Sequence, residues 1–165
     1  MSSSVHVVGV GMIPFTKPSA SEPYNVMGGK AAIKALQDAG VEYSQIQQAY
    51  VGYVFGDSTC GQAALYGVGM TGIPVINVNN NCSTGSTALF LGRQAIESGS
   101  VDCVLVLGFE QMSRGALSSS FSDRPDPLQR FVDTMQDVQG RDADAPIAAQ
   151  LFAGGGRKHM EMFGT

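Results

Sequence analysis

The chain has 165 residues, with 10 Lys and Arg against 14 Asp and Glu and a formal charge of −4, so it has room for one ordinary domain and little for a second. Apolar residues make up 44% and charged residues 15%, against roughly 25% charged in soluble domains; much of its surface should be hidden in a core or against a partner. The acidic balance and the lack of a Lys/Arg cluster exclude a nucleic-acid groove.

In chain order, Val5 to Gly11 is a short β-branched run ending in glycine and reads as a buried strand. Pro14 and Pro18 mark a loop, and between Tyr24 and Ala39 apolar positions recur at helical spacing, with Gly40 as C-cap. Gln48 to Phe55 has strand composition, Gln62 to Met70 reads as a short helix, and Val75 to Val78 as a third strand. Asn79, Asn80 and Asn81 break that strand; a helix over Ser83 to Glu97 and a strand over Val101 to Phe109 follow. The alternation implies a three-layer α/β fold on a mixed, mostly parallel sheet. Beyond Met112 the chain turns loop-like through Ser118–Ser122, Pro125 and Pro127, and two weak helical stretches cover Phe131–Val138 and Ala143–Met162. This gives an α/β domain over residues 1–111 and a loop excursion lying on the sheet over residues 112–165.

No run of about 18 apolar residues suits a membrane span, and Met1-Ser2-Ser3-Ser4 has neither the basic start nor the apolar stretch of a secretory signal. The three cysteines, Cys60, Cys82 and Cys103, are too few for a disulfide framework and point to reducing surroundings. No Cys or His pair has metal-ligand spacing. Gly9-Val10-Gly11 fails the dinucleotide fingerprint because Pro14 stands where the third glycine belongs.

Cys82 follows a strand and three asparagines and precedes a helix. A thiol there meets unpaired backbone N–H groups and the positive end of the helix dipole, which suits a nucleophile. The setting is that of the strand-turn-helix elbow of acyl-transfer enzymes. Ser83, Thr84 and Gly85 are small enough to admit an acyl group, and the Cys82 N–H can serve an oxyanion hole. A buried structural cysteine is the competing reading. Gly154-Gly155-Gly156-Arg157-Lys158 offers N–H groups and charge suited to phosphates, against the alternative of a solvated loop.

Asn79-x-x-Cys82-x-Thr84-Gly85, preceded by Gly72-Ile73-Pro74 and followed by Gly108-x-Glu110-x-Met112-Ser113, resembles the nucleophile region of the thiolases. Val51 to Gln62 and Asn77 to Cys82 are similar to the sterol carrier protein x branch of that family, and the resemblance covers essentially the whole chain. It implies the N-terminal half of the three-layer thiolase fold plus part of its acyl-CoA-binding loop region. Cys82 would be acylated by a 3-ketoacyl-CoA and deacylated by coenzyme A, an acetyl-CoA or propanoyl-CoA C-acyltransferase chemistry, with Asn79 and Gly85 supporting the turn. The resemblance also implies branched-chain substrates, lipid metabolism, a peroxisomal location and a homodimer joined through Val75–Val78. No bound cofactor and no metal are expected, and the terminal Phe163-Gly164-Thr165 is not a peroxisomal signal.

A thiolase also needs a histidine and a second, acid/base cysteine, which the family supplies from its C-terminal half. Only His6 and His159 occur here: the first reads as a core or sheet-end residue, the second as solvated. Glu110 reads as structural, and Cys60 and Cys103 as packing residues. Ser83 departs from the small apolar residue expected beside the nucleophile, and Gly154–Gly156 should break or fray a helix. The expectation is therefore the half of an acyltransferase that carries the acylated cysteine; the alternatives are a truncated, non-catalytic isoform binding acyl-CoA or a thiolase partner, and a ketoacyl synthase.

Overall fold

The structure is a computed structural model that describes residues 4–113 and 121–165. The chain divides into two compact units, Met1–Arg114 and Gly115–Thr165. In the first, helix α1 (Tyr24–Ala39), strand β1 (Gln48–Gly52), helix α2 (Cys60–Tyr66), strand β2 (Val75–Val78), helix α3 (Thr84–Glu97) and strand β3 (Val104–Gly108) follow in order. The strands form one parallel sheet in the order β2-β1-β3.

Strand alternation divides the core between two faces. Ala49, Val51, Leu105 and Leu107 pack with Ala32 of α1 and with Cys60, Ala64 and Leu65 of α2. Tyr50 and Val78 pack with Ala88 and Ala95 of α3, with Ile76, Val104 and Val106 around them. The sheet is thus covered by α1 and α2 on one side and by α3 on the other. Helix α1 ends where the sequence indicates: Gly40 takes the left-handed conformation at φ 64°, and Val41 N–H bonds Leu36 O at 3.1 Å, closing the last turn.

Because all strands are parallel, their carboxyl ends lie on one edge. Gly52 of β1 stands level with Val78 of β2 and with Gly108 of β3. The segments after each strand therefore emerge together, at the end where open α/β sheets bind their ligands.

One expected strand is absent. Val5–Gly11 forms no strand, and Val7, Val8 and Val10 are 65–72% exposed. Its backbone is tied to α1 instead: Val10 N–H donates to Asp38 Oδ2 at 2.9 Å, and Lys34 Nζ to Met12 O at 3.2 Å. Composition suits this segment to a ladder, but neither it nor the outer edge of β3 has a strand partner among the described residues. Three elements are also shifted or shorter: β1 stops at Gly52, β3 begins at Val104, and α2 starts at Cys60.

In the second unit, helices α4 (Gln129–Gln139) and α5 (Ile147–Phe163) form a pair. The expected break at Gly154–Gly156 does not occur, since α5 runs through all three glycines. Gly154 is where the side chain of Gln139 lies against the helix, in space that a Cβ would occupy. Gln139 Nε2 donates to Gln150 O at 3.0 Å. Packing between the helices thus offsets the poor propensity of glycine. The loop reading of Ser118–Ser122 falls mostly outside the described residues.

Candidate functional site

Strand β2 ends at Val78, and the chain reverses through Asn79, Asn80 and Asn81 before α3. Asn79 Oδ1 accepts the Asn81 N–H at 3.1 Å, an Asx-type turn. Asn81 then adopts φ 50°, a left-handed conformation that asparagine tolerates better than most residues. Ser83 N–H and Thr84 N–H close the reversal on Asn80 O and Asn81 O, at 3.2 and 3.1 Å.

This turn lifts Cys82 into solvent: its thiol is free and exposed. Its side-chain hydrogen bond is a long one, Sγ to Asn81 Oδ1 at 4.0 Å. The first turn of α3 contains no acidic residue and no side-chain cap, leaving the positive helix end open toward a nearby anion. A Cβ built on Gly85 would meet nothing within 4 Å among the described residues, so none of them requires glycine there.

The other two cysteines are sheltered. Cys60, 4% exposed, starts α2; its N–H donates to Tyr53 Oη at 3.3 Å, and Tyr24, Tyr53 and Phe109 stack nearby with centroid separations of 5.4 and 5.2 Å. A hydrogen bond with the Cys60 thiol holds the Tyr24 phenol above its ordinary range. Cys103 is half-buried, and burial pushes its thiol up.

Glu110 takes the structural position expected of it. Its carboxylate accepts the N–H groups of Val54 at 3.0 Å and Phe55 at 2.8 Å, fixing the segment after β1. His6 is exposed and lies in no strand, so it is neither the core nor the sheet-end residue expected, and it bonds Ser4 Oγ at 2.9 Å. His159, in the second unit, is exposed, with Thr165 Oγ1 at 3.2 Å and the Phe163 ring at 4.7 Å. The amides of Gly154–Gly156 lie inside α5 and are not the open anion cradle the sequence suggested; Lys158 pairs with Glu161 at 3.4 Å.

Two contributions were missed in the sequence. Asn80 Nδ2 donates to Thr87 Oγ1 at 2.9 Å, and the Thr84 hydroxyl bonds both to Asn80 N at 2.8 Å and to Asn81 O at 2.6 Å. The signal was the spacing of Asn80, Thr84 and Thr87, which stacks three polar side chains along one face of a helix start. Among the described residues no cluster of His, Cys, Asp and Glu could hold a metal ion, and no helix is long and apolar enough to cross a membrane.

The first unit is thus a parallel sheet between two helical layers, with Cys82 on the turn at its carboxyl edge. The chain belongs to the thiolase family: the model of the thiolase N-terminal domain matches residues 5–155. It is 56% identical over 167 residues to Sterol carrier protein 2 of Gallus gallus, covering 100% of this chain and 30% of that protein. It is also 46% identical over 166 residues to Non-specific lipid-transfer protein-like 2 of Caenorhabditis elegans, covering 98% of this chain and 40% of that one. The chain thus spans less than half the length of these relatives. Among solved structures, the Ltp2-ChsH2(DUF35) aldolase superposes with a TM-score of 0.65 at 16% identity, over 96% of this chain and 38% of that one, a likeness of fold alone.

Proposed function

We propose that this chain carries the acyl-accepting half of a thiolase active site, with Cys82 as nucleophile and 3-ketoacyl-CoA as substrate. The observation that carries this reading is the exposed thiol on a left-handed turn at the open start of α3, in a chain of the thiolase family. Cys82 Sγ adds to the 3-keto carbon, the bond between carbons 2 and 3 breaks, and its electron pair leaves with the CoA-bearing fragment, which takes up a proton. The CoA thiol then attacks the acyl carbon of the Cys82 thioester, the Sγ–acyl bond breaks and the Cys82 thiol is restored with the proton given up by CoA; coenzyme A is thus a substrate, not a bound cofactor. Asn79 supports the turn, and Gly85 leaves room for the acyl chain.

In this reading residues 1–111 form the nucleophile domain and residues 112–165 part of the acyl-CoA-binding excursion. Strand β2 is at the sheet edge, where the corresponding strand of a second copy would pair; sedimentation would show the dimer. The peroxisomal location follows from the resemblance, and organelle fractionation tests it.

Incubation with a 3-ketoacyl-CoA followed by peptide mass spectrometry should find the acyl group on Cys82. An acyl group elsewhere, with Cys82 free, refutes the assignment. One observation favours a second reading, in which the chain binds acyl-CoA or a thiolase partner without turnover: His6 is exposed and bonded to Ser4, and the side-chain bond of Cys82 is to Asn81. A base must reach its proton within about 3 Å, directly or through one water. Multiple-turnover thiolysis by the chain alone would exclude that reading.

A further inference from the structure

We propose that Thr84 is a positioning residue that holds the Cys82 elbow in its reactive shape; this rests on the reading of Cys82 as nucleophile. Among the described residues Thr84 is the one buried polar side chain, at 5% exposure. Its hydroxyl accepts the Asn80 N–H at 2.8 Å and donates to Asn81 O at 2.6 Å. One oxygen thereby bridges the peptide group ahead of Asn80 and the one that follows Asn81, the residue held at φ 50° immediately ahead of Cys82.

The methyl group of the same side chain has a separate task. It rests on Gly52 of the central strand, where a Cβ would stand 2.7 Å from Thr84 Cγ2. Hydroxyl and methyl therefore act on different partners: the first shapes the turn, the second seats the start of α3 on the sheet. Without the hydroxyl the Asn80 N–H loses its acceptor and Asn81 O keeps the Thr84 N–H, so the turn that presents Cys82 is held less firmly. Such a division can be separated by substitution. Val keeps the methyl and the shape; Ser keeps the hydroxyl.

The test measures the iodoacetamide alkylation rate of Cys82 by peptide mass spectrometry, from neutral to mildly alkaline pH, in the wild-type chain, Thr84→Val and Thr84→Ser. Thermal melts accompany it, and buried Cys60 reports any opening of the fold. Thr84→Val should slow Cys82 alkylation by about tenfold, the equivalent of one net hydrogen bond, and change its pH profile while Cys60 stays protected. Thr84→Ser should retain the wild-type rate and profile but melt at lower temperature, because only the methyl contact is lost. A wild-type rate in Thr84→Val, or a rate in Thr84→Ser as slow as in Thr84→Val, overturns the proposal. If Thr84→Val exposes Cys60, the serine variant alone decides: retained reactivity supports the proposal and lost reactivity refutes it. Acylation by acetoacetyl-CoA is read in parallel. A wild-type chain left unacylated at Cys82 counts against the nucleophile assignment, whereas the alkylation comparison still reports on Thr84.

Discussion

Replacing Glu110 by Gln separates a structural carboxylate from a catalytic one. The carboxylate accepts two backbone N–H groups, Val54 at 3.0 Å and Phe55 at 2.8 Å. The amide has one oxygen, so one of these bonds survives and the other N–H faces an NH2 group. Hydrogen bonds to charged groups contribute about 1.5–3 kcal/mol, and the half-buried setting keeps the expected loss near 2–3 kcal/mol. At about 2–4 °C per kcal/mol for a chain of this size, the melting temperature should fall by roughly 5–10 °C. Amide exchange gives the local reading: the Val54 and Phe55 N–H groups should lose protection while those of β2 keep it. Cys82 alkylation should stay near wild type, because no hydrogen bond joins Glu110 to the elbow. If Glu110→Gln melts like wild type while acyl transfer collapses, Glu110 moves a proton and the structural assignment is wrong.

Gly85→Ala should stabilise α3 by about 0.5–1 kcal/mol, since a Cβ there meets open space, yet slow acylation of Cys82 by a 3-ketoacyl-CoA; unchanged kinetics would show that the space is not used. In α5, Gly155→Ala should raise helix stability by about 1 kcal/mol, whereas Gly154→Ala displaces Gln139 from its contact and should gain less or lose; circular dichroism of the two melts makes the comparison. Burial raises the Cys103 thiol and the Tyr43 and Tyr53 phenols above their ordinary values. Their contribution to stability is complete below the unfolded-state values, near 8.5 for the thiol and 10 for the phenols, and is lost as pH rises through the folded ones. Urea melts should therefore weaken above about pH 8.5, less steeply in Cys103→Ala; an alkaline limb identical in the variant would remove Cys103 from the account.

The elements legible in the sequence are those whose signals are local. Gly40 announces the end of α1, and the asparagine run announces the reversal before Cys82, because one residue's conformational preference decides each. Val5–Gly11 misleads because β-branched composition reports fitness for a ladder and says nothing of whether a neighbour is present; here the described partner of that segment is the flank of α1. Gly154–Gly156 misleads for a related reason: propensity counts the cost of glycine, while the side chain that uses the missing Cβ comes from Gln139 on another helix. At the candidate site the motif points to Cys82, Asn79 and Gly85. The pair of hydrogen bonds made by the Thr84 hydroxyl is not legible there, since it depends on the turn closing in three dimensions.

Cys60 and Cys82 show how little local sequence separates a buried thiol from an exposed one. Each stands at or just before the start of a helix, and each follows a residue in the left-handed region, Thr59 at φ 68° and Asn81 at φ 50°. The difference lies in what covers them. Cys60 is packed in the core beneath the sheet, near the stacked rings of Tyr24, Tyr53 and Phe109, whereas Cys82 stands exposed beside the open position of Gly85. Reactivity should therefore follow cover, not helix position: iodoacetamide should label Cys82 first, half-buried Cys103 next and Cys60 last. Since a buried thiol is labelled only after the structure around it opens, Cys60 labelling should accelerate with urea much more steeply than that of Cys82. Labelling of Cys60 as fast as Cys82 in native buffer would show that the aromatic layer opens freely, and the contrast between the two elbows would then need another cause.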